Sequence, residues 1–380
     1  MLLAPHRTDA APRMISFGYK SCASCHFSVQ GRGLLNAYGR GIDSAQSYSK
    51  KDFTAMLLGR PSASEDPAEN WDGRIGNVLA DFIVSLRWNE RLDHDESDPA
   101  ITGLFRHTVF FDKNDAVRLS AEVGFVDGGL NDTPLGLHQT ATGGENFFLK
   151  KLALEWRFDA TETASGKEIV LGRDYLPLGL QIDDTTTYIL NLQRAGIYDY
   201  PLQLKYLVWN EKSLTSFYLY GPSFEESSER REYGGGFLWE RYAESNVAAG
   251  LQGLVGFSEE SDRFRFGPYV RWGISPKWTL LAQADYGAFW DAAATATTGN
   301  QITTFLQVFY HHREWLVSSA TYNYAYSDVL GARRNFSSFR YTGTARLNRN
   351  LTLGVSFVVG DAQRNLGYTE ELALFANIKF

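Results

Sequence analysis

From Arg74 onward the chain alternates apolar and polar residues with period two, and it keeps doing so to its last residue. Successive side chains of a strand point to opposite faces, so the pattern reads as strand after strand with one apolar and one polar side. Val78, Ala80, Phe82, Val84, Leu86 and Trp88 alternate with Asn77, Asp81, Ser85, Arg87 and Asn89. Val117, Leu119, Ala121, Val123 and Phe125 repeat this against Arg118, Ser120 and Glu122. Similar segments begin near Leu104, Phe147, Glu168, Leu202, Leu214, Tyr233, Val247, Phe264, Trp278, Ile302, Trp315, Phe336, Leu351 and Glu371. The total is about 16 strands, an even number within the range of outer-membrane barrels.

The connections sharpen this expectation, because such barrels alternate short periplasmic turns with longer outside loops. Short links fall at Asp112–Asp115, Asn210–Lys212, Ser275–Lys277, His312–Glu314 and Asn348–Asn350. Longer polar connections lie between them, at Asp93–Ala100, Asp127–Glu145, Asp174–Tyr200, Pro222–Arg231 and Asp291–Asn300. If the last strand ends in the periplasm, parity puts every short turn there and every long loop outside. Leu372, Leu374, Ala376, Ile378 and Phe380 alternate to a terminal phenylalanine, as in the last strand of outer-membrane barrels. The segment Asp174–Tyr200 is too long for a casual loop. Its Leu176, Pro177, Leu178, Leu180, Ile182, Ile189, Leu190 and Leu192 should not all face water, so it is expected either to fold inward as a constriction or to stand above the rim as a β-hairpin.

Composition agrees with a barrel and removes other classes. No run of about 18 apolar residues occurs, which argues against a transmembrane helix. Aromatic residues make up 14%, enough for two interfacial girdles. The net charge of -7 gives no basic footprint for nucleic acid. Acidic loop residues Asp93, Asp95, Glu96, Asp98, Glu225, Glu226, Glu259 and Glu260 keep the loops soluble and could attract cations.

The N-terminal part differs. After a tail (1–13), residues 14–72 are glycine-rich and helix-compatible, with a short helix expected over Lys50–Gly59; the barrel is expected over 73–380. Within this unit stands Cys22-Ala23-Ser24-Cys25-His26, holding both cysteines of the chain. Two thiols three apart followed by histidine form the attachment signature of a c-type haem. Cys22 and Cys25 would form the thioethers and His26 the proximal iron ligand, giving one covalent haem c. A disulfide or half a zinc site would use the same thiols, but neither accounts for the histidine directly after Cys25. Met56 is the first candidate for the second iron ligand; Met14 and the His311-His312 pair are further candidates. Arg32 and Arg40 follow the motif among glycines and are candidates for the haem propionates. Covalent haem attachment follows export, whereas Met1-Leu2-Leu3-Ala4-Pro5 is too short for a signal core, so the expected chain lacks its true signal.

Together, Cys22–His26, the following Leu35-x-x-Tyr38-Gly39-Arg40 and the barrel to Phe380 resemble the fused outer-membrane cytochrome-porins. In that family a small monohaem segment plugs a barrel of this size. The resemblance implies an all-β fold, a 16-stranded barrel with a small helical cytochrome plug. It also implies an electron conduit between an extracellular donor or acceptor, ferrous iron in the best-known members, and a periplasmic c-type cytochrome. Phe27–Gly31 lacks the proline that the iron oxidases tend to have after the motif, which leaves the substrate open. The alternatives are a substrate-selective porin whose haem segment plugs or gates the channel, and a secreted soluble β-protein with a haem.

Overall fold

The computed structural model describes residues 12–19, 21–28, 34–36, 38–40, 42, 46–49, 74–75, 77–92, 96–112, 114–127, 147–161, 165–180, 201–222, 232–244, 246–258, 261–291, 298–329, 332–348, 350–361 and 368–379. A two-residue strand, β1 (Arg74–Ile75), leads into β2 (Val78–Arg91), β3 (Glu96–Phe110), β4 (Val117–Asp127), β5 (Phe147–Thr161) and β6 (Ser165–Arg173). There follow β7 (Leu202–Asn210), β8 (Ser213–Gly221), β9 (Glu232–Glu244), β10 (Val247–Ser258), β11 (Ser261–Ser275) and β12 (Trp278–Asp291). The last are β13 (Thr298–His311), β14 (Leu316–Val329), β15 (Ala332–Asn348), β16 (Leu351–Asp361) and β17 (Tyr368–Lys379).

Each strand from β2 to β17 pairs antiparallel with its sequence neighbours, and β17 returns to β2 with Ala376 opposite Leu86. The result is a closed 16-stranded antiparallel barrel with β1 as an appendage to β2. Closure leaves no sheet edge, which is what a sheet needs to stand in hydrocarbon.

The alternation divides the wall as expected. On β7, Gln203, Lys205, Leu207 and Trp209 are buried inside while Leu204 and Tyr206 are exposed outside. On β8, Phe217 and Leu219 are exposed, and Ser216 behind them is buried. A water-soluble protein hides its leucines and exposes its polar residues; this one does the reverse, as a lipid-facing wall requires. Trp88, Tyr233 and Trp290 ring the exposed outer surface near one rim, and Trp156, Trp272 and Trp278 near the other, a placement suited to the two membrane interfaces.

One rim carries every odd-to-even hairpin, such as β7–β8 and β11–β12, and all of its connections are short. Two of these, after Thr161 and after Glu244, were not anticipated. The expected loop over Asp93–Ala100 is a correction: β3 already begins at Glu96, and Pro99 pairs with Trp88. Proline is tolerated there because, among the described residues, this end of β3 pairs with β2 alone and β4 joins at Ile101. The second rim carries the long connections, although Ser258 to Ser261 and Val329 to Ala332 are brief.

The N-terminal segment shows little helix among its described residues. Its described residues form 3-10 turns over Pro12–Phe17 and Cys22–Ser24 and a short helical stretch at 38–40. So short and glycine-rich a segment cannot bury a core of its own and instead borrows the barrel's. Ile15 belongs to one buried apolar cluster with Leu176, Leu178 and Leu180 of the connection after β6 and with Leu207, Leu254, Leu281 and Phe305 of the wall. At the other end of the segment, the Tyr48 and Ser49 N–H groups donate to the Arg346 and Leu347 carbonyls at 3.0 and 2.8 Å. The Tyr48 ring meets Trp315 edge-on at 5.0 Å.

Candidate functional site

The Cys-x-x-Cys-His segment is wound into a single turn. The Cys25 and His26 N–H groups both donate to the Cys22 carbonyl, at 3.1 and 2.9 Å. Residues 34–36 and 38–40 wrap around that turn. His26 forms an antiparallel bridge with Leu35, the Asn36 N–H donates to the Cys25 carbonyl at 2.9 Å, and Asn36 Nδ2 donates to the Ser24 carbonyl at 3.2 Å. Asn36 Oδ1 in turn accepts from the Gly39 N–H at 2.8 Å. Cys25 and His26 are buried, Cys22 is half-buried, and the two thiols are not bridged.

The turn is held inside the barrel on two sides. Ser21 hydrogen-bonds Tyr242 of β9, and Cys22 lies within electrostatic reach of Arg271 of β11. Across the lumen, Phe27 packs on Phe110 with ring centroids 5.2 Å apart. The Phe27 carbonyl accepts from Arg118 Nη2 of β4 at 3.1 Å and from Arg157 Nη2 of β5 at 2.5 Å.

Those arginines open a network of buried charges. Arg118 pairs with Glu155 and, at 2.8 Å, with Glu168. Arg157 pairs with Glu168 at 2.9 Å and lies 5.1 Å over the Trp209 ring. Lys151 pairs with Glu155 at 2.7 Å and with Asp174 at 3.5 Å, and Asp174 also pairs with Lys205. Next to it the Tyr175 hydroxyl donates to Glu122. The network therefore runs from the N-terminal segment to the start of the connection after β6.

That connection does turn into the lumen. Leu176, Leu178 and Leu180 are almost fully buried. Gly179 takes φ +55° and lies against Gln283, whose Oε1 accepts from the Leu180 N–H at 3.0 Å. Residues 181–200 lie outside the described set.

Of the other residues singled out in the sequence, Arg40 donates Nη1 to the Leu35 carbonyl at 2.9 Å and braces the wrap. Met14 is buried in the first 3-10 turn. His311 is buried and meets Phe17 edge-on at 5.2 Å, and His312 is exposed and bonded to Ser318. Met56, Arg32 and the expected helix over Lys50–Gly59 lie outside the described residues, as do Asp93, Asp95, Glu225, Glu226, Glu259 and Glu260. The sequence reading missed Arg157, Lys151, Asp174 and Lys205 as site residues. The signal open to it was charge of both signs on the polar faces of neighbouring strands.

A closed barrel with an apolar exterior is the fold of outer-membrane β-barrels, and solved structures share it. The barrel resembles outer-membrane expressed OmpT of Vibrio cholerae at 10% identity and a TM-score of 0.58, over 81% of this chain and 99% of that one. It resembles the outer membrane channel DcaP of Acinetobacter baumannii at 12% identity and 0.53, over 80% and 97%. The anion-selective porin from Comamonas acidovorans gives 12% and 0.53, over 80% and 99%. No family model matches the chain, and no curated protein matches it.

Proposed function

We propose that this barrel is an outer-membrane electron conduit, in which a covalent haem c on the N-terminal segment exchanges electrons between an extracellular donor or acceptor and a periplasmic c-type cytochrome. The observation that carries the reading is the Cys22–His26 turn gripped inside the barrel. Two thiols and an imidazole on one turn are the donor set that covalent haem requires, so the residues fit the group. Cys22 and Cys25 would attach it and His26 would ligate the iron; Met56 remains the candidate for the second ligand, and Arg32 and Arg40 for the propionates. The group would supply one-electron chemistry.

The likeness to channels and the charged lumen wall favour a second reading, a selective porin whose N-terminal segment is a plug or gate. Liposomes holding an electron acceptor inside, with a membrane-impermeant reductant added outside, separate the two. A conduit yields a haem absorption spectrum and reduces the trapped acceptor, and Cys25→Ala loses both. A colourless mature protein that conducts solutes in planar bilayers would establish the porin instead.

A further inference from the structure

The Phe27 peptide is held from both sides. Its N–H donates to the Leu34 carbonyl at 3.2 Å, and its carbonyl accepts from two guanidinium groups, those of Arg118 and Arg157. A carbonyl oxygen has two lone pairs, so both are used, and each bond is charge-assisted. The residue so fixed directly follows His26. Beside that carbonyl the two guanidinium groups meet two carboxylates, Glu155 and Glu168, and Lys151 links Glu155 onward to Asp174. Their side chains are between 1% and 15% exposed, so water screens them little.

We propose that Arg118 and Arg157 are positioning residues for His26, and that their charge holds the iron's reduction potential up. The inference rests on the haem reading above. Positive charge on the groups that hold the residue next to the proposed iron ligand favours the ferrous form, which carries one positive charge fewer. Glu168, shared by both arginines, moderates the effect.

The test uses the full-length protein in detergent, with haem per protein measured first and the midpoint potential by spectroelectrochemistry second. Arg157→Gln is expected to keep its haem but shift the oxidised-to-reduced ratio, at the wild-type midpoint, about tenfold toward oxidised. For a one-electron couple that is a fall of about 59 mV. Arg157→Lys restores the charge without the fork and should recover more than half of the shift. Glu168→Gln removes negative charge and should move the midpoint the other way, a response that mere loosening of the segment does not produce. If Arg157→Gln fails to form a barrel, Glu168→Gln decides alone. Unchanged midpoints, or both variants shifting in the same direction, overturn the inference while leaving the haem reading intact. Absence of haem in the wild type overturns the haem reading itself.

Discussion

A methyl group on Gly39 would lie 2.1 Å from the Cys25 carbonyl oxygen, backbone against backbone, with no flexible side chain to give way. The chain therefore needs glycine there in order to close residues 34–36 and 38–40 over the Cys22–His26 turn. Gly39→Ala should leave the N-terminal segment open to limited proteolysis, while the barrel keeps its heat-modifiable gel mobility. Equal protection of the segment in variant and wild type would show that the wrap closes without glycine. At this scale the sequence is legible where residues that pack together are adjacent. The Cys22–His26 turn stands out as a motif, and Leu35-x-x-Tyr38-Gly39-Arg40, which folds over it, follows closely in the chain. Arg118 and Arg157 cannot be read in this way. They reach Phe27 from 91 and 130 residues away, and nothing local distinguishes them from other polar residues on alternating strands.

The strands were readable because period two is a local property, and their starts were located to within a few residues. The exceptions have local causes as well. Pro99 mimics a loop yet lies in β3, and the links after Thr161 and Glu244 are too brief to interrupt the alternation visibly. The inward course of Leu176–Leu180 was foreshadowed by leucines that had no reason to face water, but its fastening was not. Asp174 joins this connection to Lys151 and Lys205 on two strands of the wall. Asp174→Ala leaves the buried Lys205 ammonium without that carboxylate, and breaking a buried pair costs about 3–5 kcal/mol. The connection should then detach, and single-channel recordings in planar bilayers should show larger or noisier currents than wild type. Quiet, unchanged traces would mean that the apolar contacts of Leu176, Leu178 and Leu180 suffice.

As a whole, the molecule consists of a ring complete in its own hydrogen bonds and an N-terminal segment that depends on it. Because β17 closes on β2 without help from the segment, a chain lacking residues 1–73 should still fold into a heat-modifiable barrel. Its conductance should exceed that of the full chain, since Ile15, Phe27 and their neighbours no longer fill the lumen. Equal conductance would argue that the segment does not occlude the pore. Period two could announce the ring, but not that the ring would be filled from both rims.

The stitching of Tyr48 and Ser49 to the Arg346 and Leu347 carbonyls also imposes an order in time. The segment is made first, yet its seat lies on β15, near the end of synthesis, and exists only once the late hairpins have formed. In the seated form Cys25 is 2% exposed, out of reach of any large partner. On the proposed haem reading the thiols would have to be modified on an open chain, with the barrel shutting afterwards around the finished product. A chain that folds too early would then be sealed in its unmodified form.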